Sequence, residues 1–333
     1  MSVLRVGVLA YPGCFASEVF GVPDLLTMAT HVAGPDQAGY EVSVVSSRRH
    51  VVASGGARVA VSAVRDVDVL VVPGFELSQD IRLDARLAPL APEVAVIRSH
   101  AAAGKAVVSI CVGAFLLAEA GLLAGRRATT SWLFTDELAR RCPDTEVRPE
   151  RLVVTDTGVT TTAAFSAMYD FALALIREHS GASVARTTAR LALVDDARTS
   201  QTPYVETRLL PQPGSEFSRR VMRRLDQNLA DRYDLVGLAA AFNVSTRTLL
   251  RRFAAETRQT PLDYLHASRV SRARHLLETT DRTITGISTA VGYKNPGTFA
   301  ALFTKHTGQR PSDYRASFRR GANVGGLTIG PDG

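Results

Sequence analysis

The sequence predicts a doubly wound α/β domain with a mostly parallel sheet, followed by an all-α domain that carries two helix-turn-helix units. Three observations carry this prediction. Short Val- and Leu-rich runs alternate with helix-like stretches over residues 1 to 190. The positive charge is concentrated in the last third. That third repeats one helical plan at an interval of about 50 residues.

In the first part, LRVGVLA, YEVSVVS, DVDVLVVPG, AVVSI and LVVTDTGVTTT read as strands. GVPDLLTMATHVA, APEVAVIRSHAAAG, AFLLAEAGLL and SAMYDFALALIREH read as helices. Near-continuous apolar strands alternating with helices imply a parallel sheet covered on both faces. In such sheets the ligand crevice lies beyond the C-terminal strand ends, where VVPGFE (71–76) and SICVGAF (109–115) both arrive. Cys111 then falls on a sharp strand-to-helix turn, the place of a nucleophile.

The chain has 333 residues and is 46% hydrophobic, enough for two domains with sizeable cores. No apolar run approaches the roughly 20 residues of a membrane span, and the N-terminus lacks a signal-type cleavage site, so a cytoplasmic protein is expected. Cys14, Cys111 and Cys142 are too few and too scattered for a disulfide framework or a zinc site. Neither a metal nor a cofactor is expected.

Residues 1–216 hold 20 basic and 23 acidic side chains, whereas residues 217–320 hold 19 and 8. An excess of that kind in one domain is the footprint of a surface that neutralises phosphates, or simply a solubilising surface. Between the two parts, residues 191–216 are polar and Pro-bearing without sustained periodicity, and read as a linker. The Gly-rich residues 321–333 read as a disordered tail.

The basic third, residues 217–320, gives the second domain. Leu235, Leu238 and Phe242 form an i, i+3, i+7 stripe, a turn passes through Asn243 and Val244, and Ser245 caps a helix that turns Leu249 and Phe253 inward. Ile284, Ile287 and Val291 repeat the stripe; Gly292 and Tyr293 turn, Asn295 caps, Pro296 opens the helix, and Phe299 and Phe303 point inward. The units fall at about 234–255 and 284–307. Between them Thr260 caps and Pro261 opens a helix over 261–279, which at 1.5 Å per residue spans roughly 28 Å. Successive major-groove faces are ~34 Å apart, so one such helix can hold two readers in adjacent grooves.

The run DLVGLAAAFNVSTRTLLRRFAAET, TPLDYLHASRVSRARHLLE, ITGISTAVGYKNPGTFAALFTKHTGQRPSDYR resembles the AraC/XylS family of transcription regulators over about 100 residues. F-x-x-x-F, T-G-x-x-P and the closing Y-R are present; A-x-x-x-G-[FY] appears in altered form as Thr289-Ala290-Val291-Gly292-Tyr293. The resemblance implies double-stranded DNA as the partner, with Arg247, Leu250 and Arg251 at base edges and Ser245, Thr246, Thr248 and Arg252 on phosphates. In the second unit the positions matching Arg247, Leu250 and Arg251 are Gly297, Ala300 and Ala301, so that unit is expected to position rather than read, through Asn295, Thr298, Thr304 and Lys305 on phosphates.

Residues 3–185 resemble the class I glutamine amidotransferase-like superfamily in its PfpI-type branch, with a flavodoxin-like fold. The likeness rests on the opening strand with YPG, Glu18 ahead of GVPDLL, VVPGF, and SICVGAFLLAEAGLLAGRRATTSW. The last stretch is similar to a subgroup of GlxA-like regulators that join this domain to an AraC-type reader. The resemblance places Cys111 at the elbow, Glu18 as its acidic partner, and the backbone of Gly74 and Phe75 as an oxyanion hole. The family's TTHW reads Thr129-Thr130-Ser131-Trp132, and Val112 stands where another branch has its His, so no catalytic base is found. His31, His50, His100 and His179 lie away from the motifs, His100 as a surface helix residue.

The reading is therefore a sequence-specific DNA-binding regulator, not an enzyme. Its N-terminal domain would bind a small-molecule effector at Glu18, Gly74, Phe75, Cys111, Val112 and Ser131, dimerise the protein, or both. The alternative is a PfpI-like Cys-dependent amidase or glyoxalase with an appended DNA-binding domain. Cys111 itself is open to three readings: pocket wall, redox-sensitive thiol, or residual catalyst.

Overall fold

The computed structural model describes residues 3–35, 39–64, 66–77, 82–206 and 215–319, in two compact units that divide after Gln201. The expected tail and residues 207–214 of the expected linker lie outside the described residues.

In the first unit the elements run β1 (Leu4–Leu9), α1 (Ala16–Ala33), β2 (Tyr40–Ser46), β3 (Val51–Val52), β4 (Arg58–Val59), β5 (Ser62–Ala63) and β6 (Val69–Val72). There follow α2 (Leu83–Leu87), α3 (Ala91–Ala102), β7 (Ala106–Ser109), α4 (Ala114–Glu119), β8 (Arg127–Ala128), α5 (Thr135–Arg141), β9 (Glu146–Val147), β10 (Val153–Asp156), β11 (Val159–Thr162), α6 (Ala167–His179) and α7 (Ala182–Leu191). The main sheet has the order β10-β11-β7-β6-β1-β2-β5, parallel except for the β10–β11 pair. The chain builds outward from β1 through β2 and then returns to its other side at β6. The crevice of a doubly wound sheet belongs at that reversal, so Glu18, Gly74 and Cys111 converge where β1, β6 and β7 end.

Four differences from the sequence reading have physical causes. LVVTDTGVTTT is a hairpin, not one strand: Thr157 and Gly158 both have positive φ (46° and 77°) and make a two-residue turn between β10 and β11. Helix α1 begins at Ala16, ahead of Gly21, because Ser54 Oγ, distant in sequence, accepts from the Ala16 N–H at 3.0 Å. His100 is not a surface residue. It is 8% exposed at the end of α3, its Nε2 lies 3.2 Å from the Ala106 carbonyl, and burial lowers its pKa. Helix α7 has no counterpart among the expected helices; Val184, Ala185, Thr188 and Ala189 supply its buried face.

Residues 191–201, expected in the linker, belong to the first unit. Gln201 is 2% exposed: its Nε2 donates to the Thr130 and Pro149 carbonyls, both at 2.9 Å, and its Oε1 accepts from the Trp132 N–H at 2.9 Å. A buried amide satisfied on both ends holds that strand of chain in place.

The second unit contains α8 (Glu216–Gln227), α9 (Leu235–Ala241), α10 (Thr246–Thr257), α11 (Pro261–Thr279), α12 (Ile284–Ala290), α13 (Pro296–Thr307) and α14 (Pro311–Arg319). The predicted caps are in place. Ser245 Oγ accepts from Thr248 N at 3.1 Å, Asn295 Oδ1 from Gly297 N at 2.7 Å and Thr298 N at 3.2 Å, and Thr260 with Asp263 forms a capping box. Helix α11 covers the expected 261–279.

The repeat reaches further than the two helix pairs. Thr257 and Thr307 close α10 and α13 alike, bonding the Phe253 and Phe303 carbonyls at 2.7 and 2.8 Å. Tyr264 then donates to Asp226 on α8 at 2.8 Å, and Tyr314 to Glu278 on α11 at 2.6 Å. Helix α11 therefore closes the first helix pair and opens the second.

Candidate functional site

The α9–α10 and α12–α13 pairs have equal lengths, with 7 residues in each first helix and 12 in each second. In α10, Leu249 and Phe253 are fully buried, which turns Arg247 and Arg251, one helical turn apart, to solvent with Leu250 half-buried beside them. That is a presented face of two guanidinium groups and one apolar contact. In α13, Phe299 and Phe303 are buried, and Gly297 and Ala301 are exposed in the matching places, with Ala300 half-buried. Lys305, Thr298 and Asn295 are exposed, and Thr304 is half-buried.

Four side chains expected on phosphate have internal partners, Asn295 through its cap bonds among them. Arg252 Nε bonds Glu256 at 2.9 Å while its guanidinium lies 4.1 Å from the Phe217 ring centroid. Burial acts to raise the Glu256 pKa, but bonds from Ser215, Arg252 and Ser218 outweigh it and hold the carboxyl at about 2. Arg252 thus joins α10 to α8. Ser245 and Thr248 bond each other at 2.9 Å as part of the cap.

No sequence motif marks Arg269. It is 6% exposed on α11 and donates to the Leu229 and Asp231 carbonyls at 2.8 and 2.6 Å, with the Tyr293 ring 5.0 Å away. Gly292 meets the same cluster at φ 88°: a Cβ there would lie 2.7 Å from both the Ala230 carbonyl oxygen and Arg269 Nη2. The turn of the second helix pair is thereby locked to the α8–α9 loop of the first. A glycine is required there by sign of φ and by contact.

In the first unit Cys111 sits at φ 53°, the strained backbone of an elbow. Ile110 N donates to the Val72 carbonyl at 2.9 Å, and Thr130 Oγ1 to the Cys111 carbonyl at 2.7 Å. A Cβ on Gly113 would approach the Val72 oxygen to 2.6 Å, so only glycine lets the elbow press against β6.

The structure brings Glu18, Gly74, Cys111 and Ser131 together, and Phe75 and Val112 are buried in the surrounding core. The Gly74 donor of the expected oxyanion hole is taken. Gly74 N–H donates to Glu18 Oε2 at 2.5 Å, and Phe75 bridges to Cys14. Burial raises the Glu18 carboxyl to about 8 against that bond, so it is mostly a neutral acid at pH 7. Burial and the Glu18 charge push the Cys111 thiol up to about 12, against bonds from the Val112 and Phe165 backbone and the Ser131 hydroxyl. A protonated thiol beside a hydroxyl, with the N–H donor already occupied, lacks the activated nucleophile that acyl transfer needs.

Glu18 Oε1 is buried without a hydrogen-bond partner. Among the described residues no group of three His, Cys, Asp or Glu side chains comes together as a metal site, and no helix is long and apolar enough to cross a membrane.

These two sites on these two folds define a DNA-binding transcriptional regulator of helix-turn-helix type with a PfpI-like N-terminal domain. Residues 5–178 match the DJ-1/PfpI family, and residues 238–317 match a helix-turn-helix domain. The chain belongs to the DJ-1/PfpI family. It is similar to the HTH-type transcriptional regulator CdhR of Pseudomonas aeruginosa, 29% identical over 64% of this chain and 63% of CdhR. It is also similar to GbdR of the same species, 24% identical over 87% of this chain and 78% of GbdR, and to GlxA of Rhizobium meliloti, 28% identical over 64% and 65%.

Proposed function

We propose that the chain regulates transcription in the cytoplasm by reading DNA sequence with its first helix pair and adding phosphate grip with its second. The presented face of α10 carries the proposal: Arg247 and Arg251 are exposed one turn apart, whereas α13 offers Gly297, Ala300 and Ala301. Arginine reads guanine O6 and N7, and Leu250 suits a thymine methyl. Asn295, Thr298, Thr304 and Lys305 hold the second pair on the backbone, joined on the first by Ser245, Thr246 and Thr248, while Arg252 acts chiefly in packing.

The N-terminal unit, residues 1–190 in the sequence reading and extended here to Gln201, is a non-catalytic module for effector binding, dimerisation or both. The unpartnered Oε1 of Glu18 supports the effector reading, since a ligand oxygen or nitrogen acceptor would take the proton that the neutral acid carries there. A homodimer presents two readers to two half-sites.

Selection of bound sequences from random duplexes by the intact protein tests the assignment. Arg251→Ala should relax base preference at specific positions. Lys305→Ala should weaken all sequences alike and flatten the salt slope by about one unit. Equal loss of base discrimination from both overturns the division of labour. Calorimetric titration of a metabolite panel, with Glu18→Gln as the control, tests the effector: heat that survives the substitution unchanged places the ligand elsewhere.

A further inference from the structure

Helix α8 precedes both helix pairs and belongs to no reader. Its apolar stripe, Val221, Met222 and Leu225, is buried, and its other face exposes Arg219, Arg220, Arg223 and Arg224 within two turns. Arg219 with Arg223 and Arg220 with Arg224 are like charges at i, i+4, an arrangement that weakens a helix. Among the described residues their acidic partner is Glu216, which Arg219 and Arg223 reach at 3.5 and 3.3 Å. Asp226 is taken up by the Tyr264 hydroxyl. The fold thus gains little from these four charges.

Arg220, Arg223, Arg224 and Gln227 line one open groove of about 560 Å³ whose far side is Ala241 and Phe242. Phe242 follows the last residue of α9 and leads into the turn before α10. Its ring stations the Arg220 guanidinium, 5.6 Å from the centroid. In a helix-turn-helix the first helix crosses the sugar-phosphate backbone while the second enters the groove. A basic groove against the end of α9 therefore borders the path of that backbone.

We propose that the α8 groove is a further DNA-binding surface, a phosphate clamp in which Arg223 and Arg224, with Arg220 beside them, grip the backbone flanking the site read by α10. The inference rests on the DNA-binding reading above. It assigns no base recognition to α8, because guanidinium groups on phosphate carry affinity and register without sequence information.

Binding of the full chain to a random-sequence duplex of about 30 base pairs, followed by fluorescence anisotropy between about 50 and 200 mM salt, tests it. Each phosphate contact contributes about 0.9 to the slope of log K against log salt, so Arg223→Ala/Arg224→Ala should flatten the slope by about 1.8 and reduce the loss of affinity over that range about 12-fold. Alanine relieves the like-charge pairs, and Arg223→Lys/Arg224→Lys, which keeps the charges, should restore the slope. An unchanged slope in the alanine variant overturns the clamp, and so does a lysine variant that binds like the alanine one. Loss of binding to an acidic protein without change in the slope assigns the groove to that partner and also overturns it. Wild-type protein that binds no duplex refutes the DNA-binding reading itself; wild-type binding that Arg251→Ala weakens, with the α8 variant unaffected, refutes the clamp alone.

Discussion

Glu18→Gln should remove a specific slope from the stability of the N-terminal unit against pH. The carboxyl is fully buried and rises from an ordinary 4.5 to about 8. The native chain therefore holds this proton more tightly than the unfolded chain. Its contribution is complete below the unfolded value of 4.5 and is lost as pH rises through the folded value of about 8. Each pH unit in that window is worth about 1.4 kcal/mol, which gives a total fall of at most about 5 kcal/mol. Glutamine has no proton to lose. Its Oε1 still accepts from Gly74, but its amide brings a donor into a buried site, a cost of about 1–3 kcal/mol if it finds no partner. The variant should be less stable than wild type near pH 5 and more stable near pH 8, with the curves crossing between. Urea titrations followed by fluorescence suit the question, because the chain has one tryptophan, Trp132, and it lies in the N-terminal unit. Parallel stability profiles for the two proteins would refute the reasoning.

Three further outcomes are expected. With Cys111 pushed up to about 12, iodoacetamide near pH 8 should modify the half-buried Cys142 before Cys111, and Glu18→Gln should speed the reaction at Cys111; mass spectrometry showing Cys111 labelled first contradicts its environment. Gln201→Ala leaves the Trp132 N–H and two carbonyls without their partner and should cost the N-terminal unit about 2 kcal/mol in the same urea titration. Arg258 ends α10 at φ 58° where Gly308 ends α13 at φ 74°, so Arg258→Gly should stabilise the C-terminal unit by about 1 kcal/mol in thermal unfolding by circular dichroism. A lower midpoint would show that the arginine side chain has a compensating role.

The sequence by itself determined the local rules. Apolar periodicity, the caps at Ser245, Thr260 and Asn295, and the division of charge were enough to define the two helix pairs, the helix between them and the doubly wound sheet. That Ser131 stands where the family has its base is what the resemblance implies.

The tertiary structure decided everything that depends on a partner distant in the chain. Gly74 N–H is committed to Glu18 across 56 residues, so a position that looked like an oxyanion hole is a support for a neutral acid. His100 looked like a surface residue until β7 packed over it. Arg252 looked free for phosphate until α8 brought Phe217 beneath it. Arg269 fixes one helix pair to the other through two carbonyls that no motif marks. A side chain's charge, donors and helical phase are written locally, but its desolvation and its partners exist only once the chain has folded around it.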